Sequence, residues 1–229
     1  MNSSVGAWRK GLSVAIATSL YGVSFGALSV ASGLSILETM LLSLLMFSGG
    51  SQFALVGVVA AGGTAAAAIA TAGVLGIRNT IYAISLRRLI PPTKLTLVPA
   101  AWVTIDESTA VSLAGKNEGE SRVGFWVTGV GIFIGWNICT LIGAIVGDIL
   151  GDVRAYGLDA AAAAAFLALL WPRLRHRQAV AVGAASAALA AVAVPVLPAG
   201  IPVLAAVVVA VVVALTNWFG RERAEGVLR

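Results

Sequence analysis

The chain has 229 residues, of which 59% are hydrophobic and 11% charged, with a mean hydropathy of +0.96. A soluble domain carries about a quarter charged residues, so composition excludes one and points to an all-α integral membrane protein; the period-two pattern of a membrane barrel is absent. The net charge of +5 comes from basic residues in short flanking loops, where they set orientation rather than form a nucleic-acid surface.

Residues 1–10 resemble the charged start of a signal peptide, but no cleavage site follows, and residues 11–31 read as a retained first span. Gly22 and Gly26, continued by Ser29 and Gly33, form a small-residue face suited to close helix packing in lipid. Ser35 and Glu38 have the spacing of a capping box, which makes Glu38 interfacial. The helix they open runs over residues 36–47 and meets the break Ser48-Gly49-Gly50-Ser51-Gln52. Twelve residues reach about 18 Å at 1.5 Å each, against a hydrocarbon core of about 30 Å. This half-helix does not cross alone, and residues 53–61 supply a second half.

Gly62-Gly63-Thr64 turns the chain, and a span from residue 65 meets Arg78-Asn79 after about 13 residues. Arg78 is the only charge placed deep in an assigned span, at a cost of about 2.5–3.5 kcal/mol on insertion scales. Arg78, Tyr82 and Ser85 share one helical face. Arg87 and Arg88 end the element before Pro91-Pro92. Residues 95–114 are weakly amphipathic and either lie at the interface or re-enter; adjacent Asp106 and Glu107 point about 100° apart on a helix and are no carboxylate dyad.

A fourth span covers residues 123–147, with Gly131, Gly135, Gly143, Gly147 and Gly151 on one i+4 series and Cys139 in its gap, a packing stripe. Trp136 at its centre should face protein, and Asn137 needs a hydrogen-bond partner. Asp159 opens a fifth span ending at Trp171-Pro172, where an N-cap carboxylate is ordinary. Spans over residues 178–194 and 203–219 bring the total to about seven membrane segments. The chain reads as one transporter domain, residues 1–229, with a front half (1–114) of broken helices and a back half (115–229).

Basic loops place the N-terminus and the runs at 173–177 and 221–223 in the cytoplasm, and the last four spans agree. Three full crossings in the front half would leave Arg87, Arg88 and Lys94 outside. Either the 48–52 break is the tip of a re-entrant hairpin, or residues 95–114 cross back with Asp106 and Glu107. A weak inverted repeat relates Gly33-Leu34-Ser35 to Gly157-Leu158-Asp159, with Asn79 and Asn217 loosely matched; such repeats place transporter sites near the midplane.

One cysteine excludes an internal disulfide and a multi-cysteine metal site, and the one histidine, His176, sits in a basic loop. A nucleophilic enzyme needs a base beside its nucleophile, so neither enzyme activity nor a cofactor or metal is expected. A channel filter is also absent. A non-transporting membrane assembly subunit is the remaining alternative, beside a transporter of another small amino acid or organic solute.

The residues Gly22-Val23-Ser24-Phe25-Gly26, Gly33-Leu34-Ser35, Ser43, Phe47-Ser48-Gly49-Gly50-Ser51-Gln52-Phe53, Leu75-Gly76-Ile77-Arg78-Asn79-Thr80-Ile81-Tyr82, Ser85-Leu86, Asp106-Glu107 and Gly157-Leu158-Asp159 resemble the AzlC family of branched-chain amino acid permeases and exporters. The resemblance is densest before residue 110. It departs where the family usually has a small residue such as alanine and this chain has Gly50 or Ser51. The C-terminal third matches by order of elements more than by motif. The resemblance implies export of valine, leucine and isoleucine, with methionine also plausible, across a prokaryotic plasma membrane. It also implies a small AzlD-type membrane subunit as partner.

For such a zwitterion, half-helix N-termini suit the carboxylate and polar groups the ammonium. Ser48, Gly49, Gly50, Ser51 and Gln52 are expected to form one wall of the site, and Arg78 and Asn79 the other, with Tyr82 and Asn137 nearby. Arg78 either binds the carboxylate, braces the break, or pairs with a carboxylate such as Asp106. Phe47 and Phe53 face the side chain or pack the core. Asp106, Glu107 and Asp159 are the candidates for proton coupling, since poor hydration raises a carboxylate's pKa.

Overall fold

The computed structural model describes residues 2–151, 167, 170, 171, 174 and 177–216. Its helices in chain order are α1 (Asn2–Ser19), α2 (Tyr21–Ala31), α3 (Ile36–Leu45), α4 (Gly49–Ala60), α5 (Ala65–Leu86), α6 (Leu97–Trp102), α7 (Asp106–Leu113), α8 (Glu118–Leu150), α9 (Arg177–Ala193) and α10 (Ile201–Thr216). The protein is an all-α membrane protein. Val5–Ala31, Ala65–Leu86 and Glu118–Leu150 are long and apolar enough to cross a bilayer, and shorter apolar helices accompany them. Asp159, Gly157, Leu158, His176 and Asn217, with most of the fifth span, lie outside the described residues.

Small residues dictate how the first span meets α8. A Cβ at Gly131 would meet Ala15, at Gly135 Ser19, at Gly143 the Val23 carbonyl, and at Gly147 Ala27. The reciprocal face closes the same way, with Gly22 against the Trp136 carbonyl and Gly26 against that of Thr140. The paired positions advance in the same direction along both helices, so the first span and α8 run parallel. Parallel packing requires residues 32–117 to cross an odd number of times. α8 is longer than the expected span, because Asn117 caps it through the Glu120 N–H at 3.0 Å, and its 33 residues reach about 50 Å.

The break at 48–52 is re-entrant. The expected capping box forms: the Glu38 N–H donates to Ser35 Oγ at 3.2 Å and the Ser35 N–H to Glu38 Oε2 at 2.7 Å. From there α3 descends along α8 until Ser43 Oγ donates to Thr140 Oγ1 at 3.4 Å. The chain then turns back. Gln52 Nε2 donates to the Met46 and Leu42 carbonyls at 2.8 and 3.3 Å. In one continuous helix, residues 42 and 52 would lie about 15 Å apart, beyond a glutamine's reach. The hairpin fold brings them together and lets Gln52 satisfy carbonyls orphaned at the end of α3. From this tip α4 climbs back and packs along α5. The turn between them has Gly62 at φ 75°, where glycine is favoured, and Thr64 caps α5 through the Ala67 N–H.

α5 is the odd crossing. It starts beside the end of α4 and finishes with Leu86 and Ile90 clustered on Phe125, near the start of α8. Residues 95–114 then re-enter from that end. α6 climbs to Val103, which faces Gly129, and α7 returns antiparallel to α8, with Val111 against Gly124 and Gly115 against Ser121. Both front-half irregularities are therefore hairpins, from opposite ends. Arg87, Arg88 and Lys94 fall at the same end as Arg9, Lys10 and Arg122. A hairpin followed by a crossing helix occurs twice in inverted orientation, α3–α4–α5 and α6–α7–α8. α8 belongs structurally with the front half. α9 packs on α10, which touches α5.

Re-entry has a direct check. With Cys139 replaced by serine, single cysteines at Leu34 and Ala61 are expected to react with a membrane-impermeant thiol reagent from the same side of the membrane, and one at Leu95 from the other. Labelling of Leu34 and Ala61 positions from opposite sides would show a true crossing.

Candidate functional site

The two hairpin tips meet near the midpoint of α8, and a cavity of about 170 Å³ lies between them. A cavity of about 150 Å³ holds a benzene molecule, so the space suits a small solute. Its walls come from the two hairpin tips and from α1, α2, α4, α5, α7 and α8. Phe47 to Gly50 form the tip of the first hairpin, and Ile105 to Glu107 that of the second. α5 contributes Arg78, and α8 contributes Ile132 and Trp136. Thr18 and Tyr21 flank the one-residue interruption at Leu20 between α1 and α2.

Chemistry concentrates on one ion pair. Arg78 Nη2 lies 2.9 Å from Asp106 Oδ2, and their side chains are 28% and 15% exposed. Tyr82 donates its hydroxyl proton to Asp106 Oδ1 at 2.6 Å. Arg78 and Tyr82 reach the same carboxylate because they are four residues apart, on one face of α5. Asp106 sits at the first position of α7, the usual place for a helix-starting acid.

The guanidinium also lies on the start of α4. A Cβ at Gly50 would stand 2.5 Å from Arg78 Nη2, so a residue without a side chain lets Arg78 approach. The first α4 ladder bond runs from the Gln52 N–H to the Ser48 carbonyl at 2.9 Å. The N–H groups of Gly49, Gly50 and Ser51 precede it and stand outside the helix ladder, as at any N-terminus. Partial positive charge from these groups and the arginine face the same space.

The remaining walls are apolar. Phe47, Phe53, Ile105, Ile132 and Trp136 are all buried and belong to one core cluster. Phe53 stands edge-on to Phe25 and to Trp136, with ring centroids 5.7 and 6.2 Å apart. Phe53 and Trp136 line the cavity, and Phe25 packs against both.

The structure separates the other expected site residues from this group. Asn79, one position beyond Arg78, lines a different cavity of about 400 Å³ together with Ser51 and Trp102, while Ser48 borders both. Adjacent residues on a helix point about 100° apart, so Arg78 and Asn79 serve different faces of α5. Gln52 is fully buried and spends its amide on the hairpin tip. Asn137 turns away and donates to the Phe133 carbonyl of its own helix at 2.7 Å, while its neighbour Trp136 faces the cavity. Glu107 lines the cavity beside Asp106. Thr18, Tyr21, Ile105 and Ile132 were not singled out by sequence reasoning, because their role depends on how each helix is rotated about its axis.

A polytopic helical protein whose opposed re-entrant hairpins enclose a charged, apolar-walled cavity is built like a transporter, with broken backbone at membrane depth only where it lines a cavity. The chain belongs to the AzlC family: the family model described as AzlC protein matches residues 13–150, more than half of the chain. The match covers α2 to α8 and therefore every wall of the cavity. The family carries a membrane-transport role. No curated protein and no solved structure matches the chain.

Proposed function

We propose that this protein exports the branched-chain amino acids valine, leucine and isoleucine, and also methionine, across a prokaryotic plasma membrane. The cavity between the hairpin tips carries this reading. It joins an arginine and a helix N-terminus, suited to a carboxylate, to an apolar wall of Phe47, Phe53, Ile105, Ile132 and Trp136 that suits a branched aliphatic side chain. Such a wall separates ligands differing by one methylene by only about 1–3 kcal/mol, so the four amino acids overlap as substrates. The basic residues gathered at the end that bears Arg9 and Lys10 favour a cytoplasmic N-terminus. A small AzlD-type subunit acts as partner.

Export against a gradient requires a driving force. Asp106 and Glu107, which line the cavity, are the carboxylates proposed to carry a proton. The test is efflux from vesicles loaded with a panel of labelled amino acids, with this chain alone and with the small subunit. Saturable efflux of the four named amino acids, lost when the pH gradient is collapsed, is the expected result. Non-saturable flux, or binding of the subunit without any amino acid flux, would overturn the transporter reading. Unchanged accumulation outside after collapse of the gradient would remove proton coupling alone.

A further inference from the structure

From the Arg78–Asp106 pair we infer that the site admits only ligands carrying both charges of a zwitterion, which insert into this ion pair and replace it. The inference rests on the proposed amino acid site and adds a rule of selection. Without ligand, Arg78 Nη2 and Asp106 Oδ2 satisfy each other at 2.9 Å across the cavity wall. Taking the partner from an ion in a part-buried site is costly, more so at membrane depth. A ligand with a carboxylate alone would pair with Arg78 and leave Asp106 with Tyr82 but without its cation. A ligand with an ammonium alone would pair with Asp106 and strand Arg78. An α-amino acid brings one partner for each on adjacent atoms, so both pairs exchange and no charge is left over.

The surroundings support the exchange. Tyr82 holds the second Asp106 oxygen at 2.6 Å, so the carboxylate keeps its place when Arg78 turns to the ligand. Tyr82 is thus a positioning residue. The start of α4, against which Arg78 lies at Gly50, offers N–H groups to the incoming carboxylate. The other titratable groups facing the cavity are Tyr21 from α2 and Glu107 from α7, while α3, α4 and α8 contribute none. Glu107 adds a negative charge on the ammonium side, so the decisive comparison lies on the carboxylate side.

The experiment is competition against labelled valine on the purified full chain, using the 2-oxo acid with valine's side chain, and isobutylamine. On the wild-type protein the oxo acid is expected to bind at least about 100-fold more weakly than valine. In Asp106→Asn the negative partner of Arg78 is gone. The oxo acid should then gain at least about tenfold while valine weakens, reversing the order. An oxo acid competing within about tenfold of valine on the wild-type protein overturns the inference. So does a folded Asp106→Asn protein that leaves the order unchanged. If Asp106→Asn does not fold, the wild-type comparison decides. Failure of valine itself to bind overturns the amino acid reading as a whole and is distinct from either result.

Discussion

Export is expected to stop when Arg78 is replaced by alanine, while the chain still inserts and purifies. The arginine touches both hairpin tips, through Asp106 at 2.9 Å and through its seat on Gly50. Removing it deletes the carboxylate's positive partner and leaves Asp106 facing the cavity without the guanidinium. Breaking a fully buried pair costs about 3–5 kcal/mol. Here the two side chains are 28% and 15% exposed, so screening reduces the cost. Tyr82 still donates to Asp106. The helix packing of α2 on α8 does not involve Arg78. Loss of function without loss of assembly follows, read as vesicle efflux beside gel filtration in detergent. Arg78→Lys keeps the charge but not the planar fork, and partial efflux is expected. Wild-type export by the alanine variant would remove Arg78 from the site.

Replacement of Gly26 by valine is expected to prevent assembly altogether. A Cβ there would drive into the Thr140 carbonyl and stand 2.6 Å from the Ala144 nitrogen. Both obstacles are helix backbone, which cannot swing aside as a side chain can. Overpacking typically costs about 1–3 kcal/mol; with backbone on the receiving side the upper end or more applies. Separation of α2 from α8 would also loosen Phe25 from Trp136, which stack at 6.1 Å, and Trp136 lines the cavity. Gly73→Ala is the matched control, because a Cβ at Gly73 meets nothing within 4 Å. It should purify as well as wild type. A monodisperse, transport-competent Gly26→Val protein would contradict the close parallel crossing.

Much of the cavity lining is legible in the sequence. The Ser48-Gly49-Gly50 break and Arg78 both line the cavity, and the unusual cost of each in a membrane is what marked it. Spacing placed Tyr82 on the arginine's face, and both meet Asp106. Asn79 and Ser51 were grouped with them by nearness in sequence, which counts for little on a helix, where one step turns a side chain by about 100°. Gln52 was read as a binding group, and the structure gives its amide to the carbonyls at the end of α3. No sequence pattern distinguishes a polar residue that holds a bend from one that holds a ligand.

The sequence by itself determined the membrane class, the family, the capping box of Ser35 and Glu38, and the two glycine faces. Each of these depends on residues within one turn or one helical repeat, where backbone geometry fixes the neighbours. Tertiary structure alone decided the topology. Only the pairing of Ala15, Val23 and Ala27 with successive glycines of α8 makes the two spans parallel, and only that pairing requires an odd number of crossings between them. The partnership of Arg78 with Asp106 is of the same kind. It spans 28 positions of chain, a turn at Pro91-Pro92 and a hairpin, and it exists because two tips entering from opposite ends stop at the same depth.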